Sequence, residues 1–272
     1  MNLRNNMKNT LPIAVFYLIS VTALADDATT SEKALQDMSD PLAVYTQVGV
    51  GTTNNGMNLK LGKSYDPGTP KTMAMNVVEV KGFFGETLGW DSTDSVDNAI
   101  DSIRFRNFKV DMTNGRGSQV DVNYYFDANQ LAEQSGDISY SLIQALPKMG
   151  IFNFYPLAGV GASFGNNVTE DDGSVGSGYS VNGTFGLIGM YGKVTITDKL
   201  WLNYNPFWLT TFSGSNNYKD NAFGPGNNSL LTHELAVNYQ ITDRLNVRYF
   251  ANWNENTSFN DGAHRIEVNY QL

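Results

Sequence analysis

The last nine residues, HRIEVNYQL, alternate polar and apolar side chains to the final position, with Ile266, Val268, Tyr270 and Leu272 on one face and Arg265, Glu267, Asn269 and Gln271 on the other. Successive side chains of a β-strand point to opposite faces, so this spacing predicts a strand with one greasy and one polar side. Chain ends normally fray. An amphipathic strand that runs to the last residue therefore predicts a terminus held in a hydrogen-bonded ladder. The same pattern recurs upstream: Leu245, Val247, Tyr249, Ala251 and Trp253 alternate with Asn246, Arg248, Phe250, Asn252 and Asn254. Leu231, Leu235, Val237, Tyr239 and Ile241 form another such row, and Leu200, Leu202, Tyr204, Trp208 and Phe212 a further one.

Turns join these strands in a regular way. ITDKL (196–200) and ITDRL (241–245) are one short connection written twice, whereas GSNNYKDNAFGPGNN (214–228) and NENTSFNDGA (254–263) are long and polar. Tight turns at one end and long loops at the other are the pattern of a transmembrane antiparallel up-and-down β-barrel. Candidate strands fall near 42–51, 56–65, 72–85, 101–112, 119–127, 138–146, 152–165, 179–196, 199–213, 229–241, 244–256 and 264–272. That is about twelve, an even number as bacterial single-chain barrels have. The remaining tight turns, YDPGTP, TNGRG and LPKMG, all fall on the same side of the sheet. In an all-β sandwich, the alternative architecture, aromatic residues on faces already apolar would have no role. In a barrel, Tyr204, Trp208, Tyr239, Tyr249, Trp253 and Tyr270 are the membrane-interface aromatics.

Two strands break phase if polar residues must face inward. In IRFRNFKV, Arg104 and Arg106 share parity with Phe108 and Val110. A bulge near Asn107 would restore the alternation, and a second slip is expected near Val77 and Val78. Mis-set phases of this kind would change the count to ten or fourteen.

The N-terminus reads as an export signal over residues 1–25: Arg4 and Lys8, then the apolar run LPIAVFYLISVTALA with a small-residue site at Ala23-Leu24-Ala25. The run is shorter than the ~20 residues a spanning helix needs. Residues 26–41 are an acidic periplasmic leader, in which Ser31 could cap a short helix but a disordered lead-in is expected; the barrel is expected over 42–272. The chain has no cysteine, so no disulfide framework holds it. Aromatic residues make up 12% and charged residues 17%, the latter low against the ~25% of soluble domains. A net charge of −9 gives no basic footprint for nucleic acid.

The polar strand faces carry the candidate pore lining: Lys60, Lys81, Arg104, Arg106, Lys109, Arg248 and Arg265, with the acids Glu79, Asp111, Asp121, Glu234 and Glu267. A wall that leans basic in an acidic protein favours anions inside the pore; a set of paired charges bracing a closed interior is the competing reading. In NFYPLAGVGASFG, inward Gly159, Gly161, Ser163 and Gly165 keep a lumen open or serve barrel curvature. The loop acids, among them Asp91, Asp94, Asp97 and the run Glu170-Asp171-Asp172, form solvated tips.

Chemistry for an enzyme is sparse. A histidine and a serine two positions apart on a strand would point to lipid hydrolysis, but Leu235 follows His233 at that spacing and Ile266 follows His264. His264 with Asp261 is a lone pair of residues, and nothing in the spacing calls for a metal or cofactor. No enzyme is expected.

The terminal alternation with Tyr270 resembles the C-terminal insertion signal of bacterial outer-membrane proteins, which most often ends in Phe where this chain has Leu272. That resemblance implies an outer-membrane location and recognition by the barrel-assembly machinery through the last strand. By architecture and inward basic residues the chain looks like the small monomeric oligosaccharide porins of the oligogalacturonate type. The resemblance implies a monomeric passive channel for small hydrophilic solutes, anionic ones included, embedded among outer-membrane lipids and lipopolysaccharide. The alternative is a non-conducting barrel that acts through its extracellular loops as a structural protein, adhesin or receptor.

Overall fold

The computed structural model describes residues 35–88 and 98–272; the export signal, the leader up to residue 34 and the acids Asp91, Asp94 and Asp97 lie outside the described residues. Twelve antiparallel strands follow one another: β1 (Gln47–Thr53), β2 (Met57–Tyr65), β3 (Thr72–Phe83), β4 (Ser102–Asp111), β5 (Arg116–Tyr125), β6 (Ala132–Gln144), β7 (Phe152–Val168), β8 (Tyr179–Thr195), β9 (Leu200–Gly214), β10 (Ser229–Thr242), β11 (Leu245–Asn254) and β12 (Ala263–Gln271). Each pairs with its sequence neighbours, and β12 pairs with β1 to close the barrel. Gln271 lies opposite Gln47, and the Leu272 amide donates to the Thr46 carbonyl at 2.9 Å. The terminal strand is thus bonded on both sides to its last residue, which leaves no open edge.

The twin turns have twin chemistry. Thr197 Oγ1 accepts from the Leu200 amide at 3.0 Å, and Thr242 Oγ1 accepts from the Leu245 amide at 3.2 Å. In both, the threonine hydroxyl satisfies the backbone donor that reverses the chain, as local side-chain bonds at turns do.

Burial is inverted relative to a water-soluble domain. Lys60, Glu79, Asn58, Asn238, Asn246, Glu267 and Asn269 are buried, whereas Leu61, Ile138, Leu142, Val160, Ile188 and Ile266 are exposed. A continuous exposed apolar band around a polar interior is what a barrel presents to hydrocarbon.

The expected phase slips in β3 and β4 are absent. Pairing of β3 with β4 runs unbroken from Thr72 opposite Asp111 to Lys81 opposite Ser102, and pairing of β4 with β5 is equally regular. Inward residues of β4 are therefore Arg104, Arg106, Phe108 and Val110, and those of β3 include Met75, Val77, Glu79 and Lys81. The physical reason is a small apolar core inside the turn end of the barrel. Val44 packs there with Met75, Val77 and Val110, joined by Leu42, Met73 and Phe108. The first strand likewise starts at Gln47 and not at 42, because residues 35–45 do not join the wall but lie within the lumen, and Thr46 makes only the last bond of the ladder.

The inward glycines of β7 do not widen the bore. A Cβ at Gly161 would lie 2.4 Å from the Phe185 ring, and one at Gly159 would lie 2.3 Å from Ser141 Oγ. Their lack of a side chain makes room for neighbours, a close-approach role.

Candidate functional site: a charged lumen floored by the leader

The lumen is lined on one arc by charge. Lys60 of β2 pairs with Glu267 of β12, whose other oxygen accepts from Asn58 at 3.1 Å and lies 3.6 Å from Arg265 Nε. Arg106 of β4 pairs with Glu79 of β3, which also meets Lys81 at 3.4 Å. Arg104 grips Asp121 of β5 in a fork, with Nε to Oδ1 at 2.8 Å and Nη2 on Oδ2, a bidentate arrangement suited to guanidinium. Asp121 also accepts from Gln119 at 3.0 Å. Five cations thus share three carboxylates. Arg248 of β11 pairs with no carboxylate among the described residues, and its Nη2 donates to the Met38 carbonyl at 2.9 Å. The Arg265 guanidinium stacks over the Phe250 ring at 4.1 Å. Glu234 of β10 accepts from Asn205 at 2.8 Å.

Nine of the ten sequence-predicted lining residues, Lys60, Lys81, Arg104, Arg106, Asp121, Glu234, Arg248, Arg265 and Glu267, face inward. Lys109 does not. With β4 in unbroken phase it falls on the exposed outer row, level with Ala74 and Ser118. Asp111 is likewise no part of the lining; it accepts from Thr113 and Asn114 within the turn. Sequence reasoning missed Asp137, on the inner face of β6 where it accepts from Asn123 at 3.0 Å, and Lys193, buried on the inner face of β8. The alternation of Lys193 with Tyr191 and Leu187 marks it as inward, but its partners lie in the leader. Lys193 Nζ bonds Ser39 Oγ and lies 3.6 Å from Asp37.

The opposite arc is aromatic and aliphatic: Tyr191 meets Phe207 edge to face at 5.5 Å, and Tyr155, Leu157 and Ile143 form a buried cluster with Leu187, Phe207 and Leu42 around it. Between the arcs lies a cavity of about 430 Å³ that reaches from Met38, Asp40 and Tyr45 of the leader up to Thr53, Asn252 and Ala263 near the loop end. The long β9–β10 connection folds over the rim. Its six-residue helix α1 (Asn216–Asn221) is capped by Ser215, and buried Tyr218 bonds Ser163 inside β7 at 3.0 Å. Asp171 accepts from the Asn217 amide at 2.7 Å and from Asn216 at 3.0 Å, so this loop acid braces the helix and is not a free tip.

The six aromatic candidates all face outward. Tyr270 and Tyr239 lie towards the turn end and Trp253 at the loop end of its strand. Tyr204 and Tyr249 fall within their strands, where they join Trp253 through the two histidines. Tyr204 Oη bonds His233 Nδ1 at 2.8 Å, and Tyr249 Oη bonds His264 Nδ1 at 2.8 Å. His233 stacks on Trp253 at 5.1 Å, and Phe259 bridges Trp253 to His264. Both histidines are therefore on the outer surface, and Asp261 accepts from Ser258, not from His264.

No protein-family model matches the sequence, and no curated protein matches it. Solved structures share the fold. The NanC porin superposes with a TM-score of 0.51 at 10% identity, covering 84% of this chain and all of that one. The translocator domain of the autotransporter NalP from Neisseria meningitidis gives 0.45 at 12% identity, over 86% of this chain and 91% of that one. The KdgM porin, solved with disordered oligogalacturonate, gives 0.39 at 9% identity over 84% and 99%. At 10% identity the likeness to the NanC porin is one of fold: a closed twelve-stranded antiparallel β-barrel, porin-like in architecture.

Proposed function

We propose that this protein is a passive channel of the bacterial outer membrane that admits small hydrophilic solutes and favours anionic ones. The observation that carries the reading is the lumen charge: five cations share three carboxylates, Arg248 adds a cation with no carboxylate partner among the described residues, and these six cations border one cavity whose lining carboxylates are Asp40, Glu79 and Glu234. In a narrow low-dielectric passage such a surplus raises the local concentration of anions and repels cations. Ser39 Oγ accepts from Lys193 and donates to Asp37 at 2.6 Å, so that pair is read as an anchor of the leader, and the barrel as a conduit. Outer-membrane lipids and lipopolysaccharide surround the exposed apolar band, the assembly machinery engages the β12 strand, and the barrel acts as a monomer.

Proteoliposomes that carry the full mature chain test this. Uptake of gluconate is expected to run several-fold faster than uptake of glucose, a neutral solute of nearly the same size. Equal rates would remove the anion preference, and no uptake of either would remove the channel. The second reading, a barrel that works through its loops without conducting, draws support from one observation: the leader occupies the turn end of the lumen.

A further inference from the structure

Residues 35–45 enter the lumen and fold there as a compact double turn. The Asp40 amide donates to the Asp37 carbonyl at 3.1 Å and the Ala43 amide to the Asp40 carbonyl at 3.0 Å. Side-chain carboxylates tighten both turns, Asp37 on the Ser39 amide and Asp40 on the Leu42 amide, each at 2.9 Å. The segment then touches opposite sides of the bore. On one side Val44 packs on Met75 and Val77 of β3 and Val110 of β4. On the other, Gln240 of β10 lies 3.4 Å from Met38 Sδ and Arg248 of β11 bonds the Met38 carbonyl. Between them, Tyr155 of β7 donates to Asp40 at 3.1 Å and Lys193 of β8 holds Asp37 and Ser39. A segment that reaches β3, β4, β7, β8, β10 and β11 spans the width of a closed barrel.

From this geometry we infer that residues 35–45 are a gate: a plug seated at the turn end of the lumen, through which solutes pass only when it is displaced. The inference rests on the channel reading above. Within the described chain the plug is tethered on one side, through Thr46 to β1. No cysteine locks it to the wall. Its apolar anchorage comes from Met38, Leu42, Val44 and Tyr45, and the rest of its grip is polar. Asp37 faces Lys193, Asp40 accepts from the Tyr155 hydroxyl and the Met38 carbonyl accepts from Arg248, and these donors are the kinds of group an anionic solute would itself occupy. An anion that enters the cavity from the loop end therefore competes with the leader for the same partners, so the permeant class and the opening signal coincide.

The test uses the full mature chain with Met38→Cys and Gln240→Cys, whose native side chains already touch. The thiols are joined by a short reducible bifunctional reagent, and current is recorded from single channels in planar bilayers in KCl. A cross-linked leader is expected to lower open probability at least tenfold, with recovery on adding reductant. Gln240→Cys alone, treated with the same reagent, is expected to behave as the untreated protein. Deletion of residues 26–40 is expected to raise open probability and to strengthen anion preference, since it removes Asp37 and Asp40. Equal current in the locked and released states would overturn the gate while leaving the channel standing. Silence in both states and in the deletion variant would remove the channel, and the gate with it.

Discussion

Replacing Glu267 by glutamine lowers the free energy of unfolding by about 3–5 kcal/mol, the cost of leaving a buried charge without its partner. The carboxylate is 1% exposed and serves Lys60, Arg265 and Asn58 at once. The amide that replaces it presents an NH2 group to a surrounding made only of donors, so two cations lose their counter-ion inside the lumen. Equilibrium denaturation of the refolded protein in lipid vesicles reads the loss. The double variant Glu267→Gln with Lys60→Met should recover part of it, because removing both members of a buried pair costs less than removing one. If Glu267→Gln shifts the transition by less than about 1 kcal/mol, the lumen is open enough to water for single charges to be solvated.

A second large effect is expected on the opposite face of the same strand. Val268→Arg places a charge in the middle of the exposed apolar band, beside Val50 and Val247, and should cost about 2–4 kcal/mol if that band faces hydrocarbon. Tyr270→Arg, one row closer to the turn end, should cost only about 0–1 kcal/mol, since the penalty falls towards the interface. The contrast between neighbours that share a face is the signature of depth in a bilayer. Equal small effects at the two positions would mean that the band faces water.

The architecture was legible because the barrel writes its two environments into alternate residues. From β10 to β12 the inward polar residues and the outward apolar ones could be assigned from the sequence, as could the outward row of β9, and the twin ITDKL and ITDRL turns fixed which end was which. Where reasoning went astray, in β3 and β4, the cause was a single assumption, that inward means polar. Met75, Val77, Phe108 and Val110 face inward and are apolar because they pack on Leu42 and Val44. That core is formed with a segment earlier in the chain, and no local pattern announces it. The same contact explains why Lys109 faces outward and why Lys193, partnered by Asp37, went unnoticed. Strand pairing is local in an up-and-down barrel; what fills the lumen is not.

The site was legible in its residues more than in its relations. Arg248 and Arg265 could be placed on the inner wall by parity alone, whereas Arg104 and Arg106 could be placed there only through a bulge that the structure lacks. That Arg104 would find Asp121 and Arg106 would find Glu79 depends on which rows of adjacent strands come level, and hence on register. That Arg248 would be left to a leader carbonyl depends on the fold of the leader itself. The lean towards cations was legible in the sequence, but its pairing, five cations on three carboxylates with Arg248 left over, is a property of the assembled lumen.

The measurement that tests the account most directly is single-channel recording of the refolded mature protein in a planar bilayer, with the reversal potential read under a KCl gradient. The account predicts discrete openings, a reversal potential on the anion side, and a displacement towards the cation side in Arg248→Glu. A bilayer that stays silent at every voltage, with the barrel shown to be inserted, would contradict it.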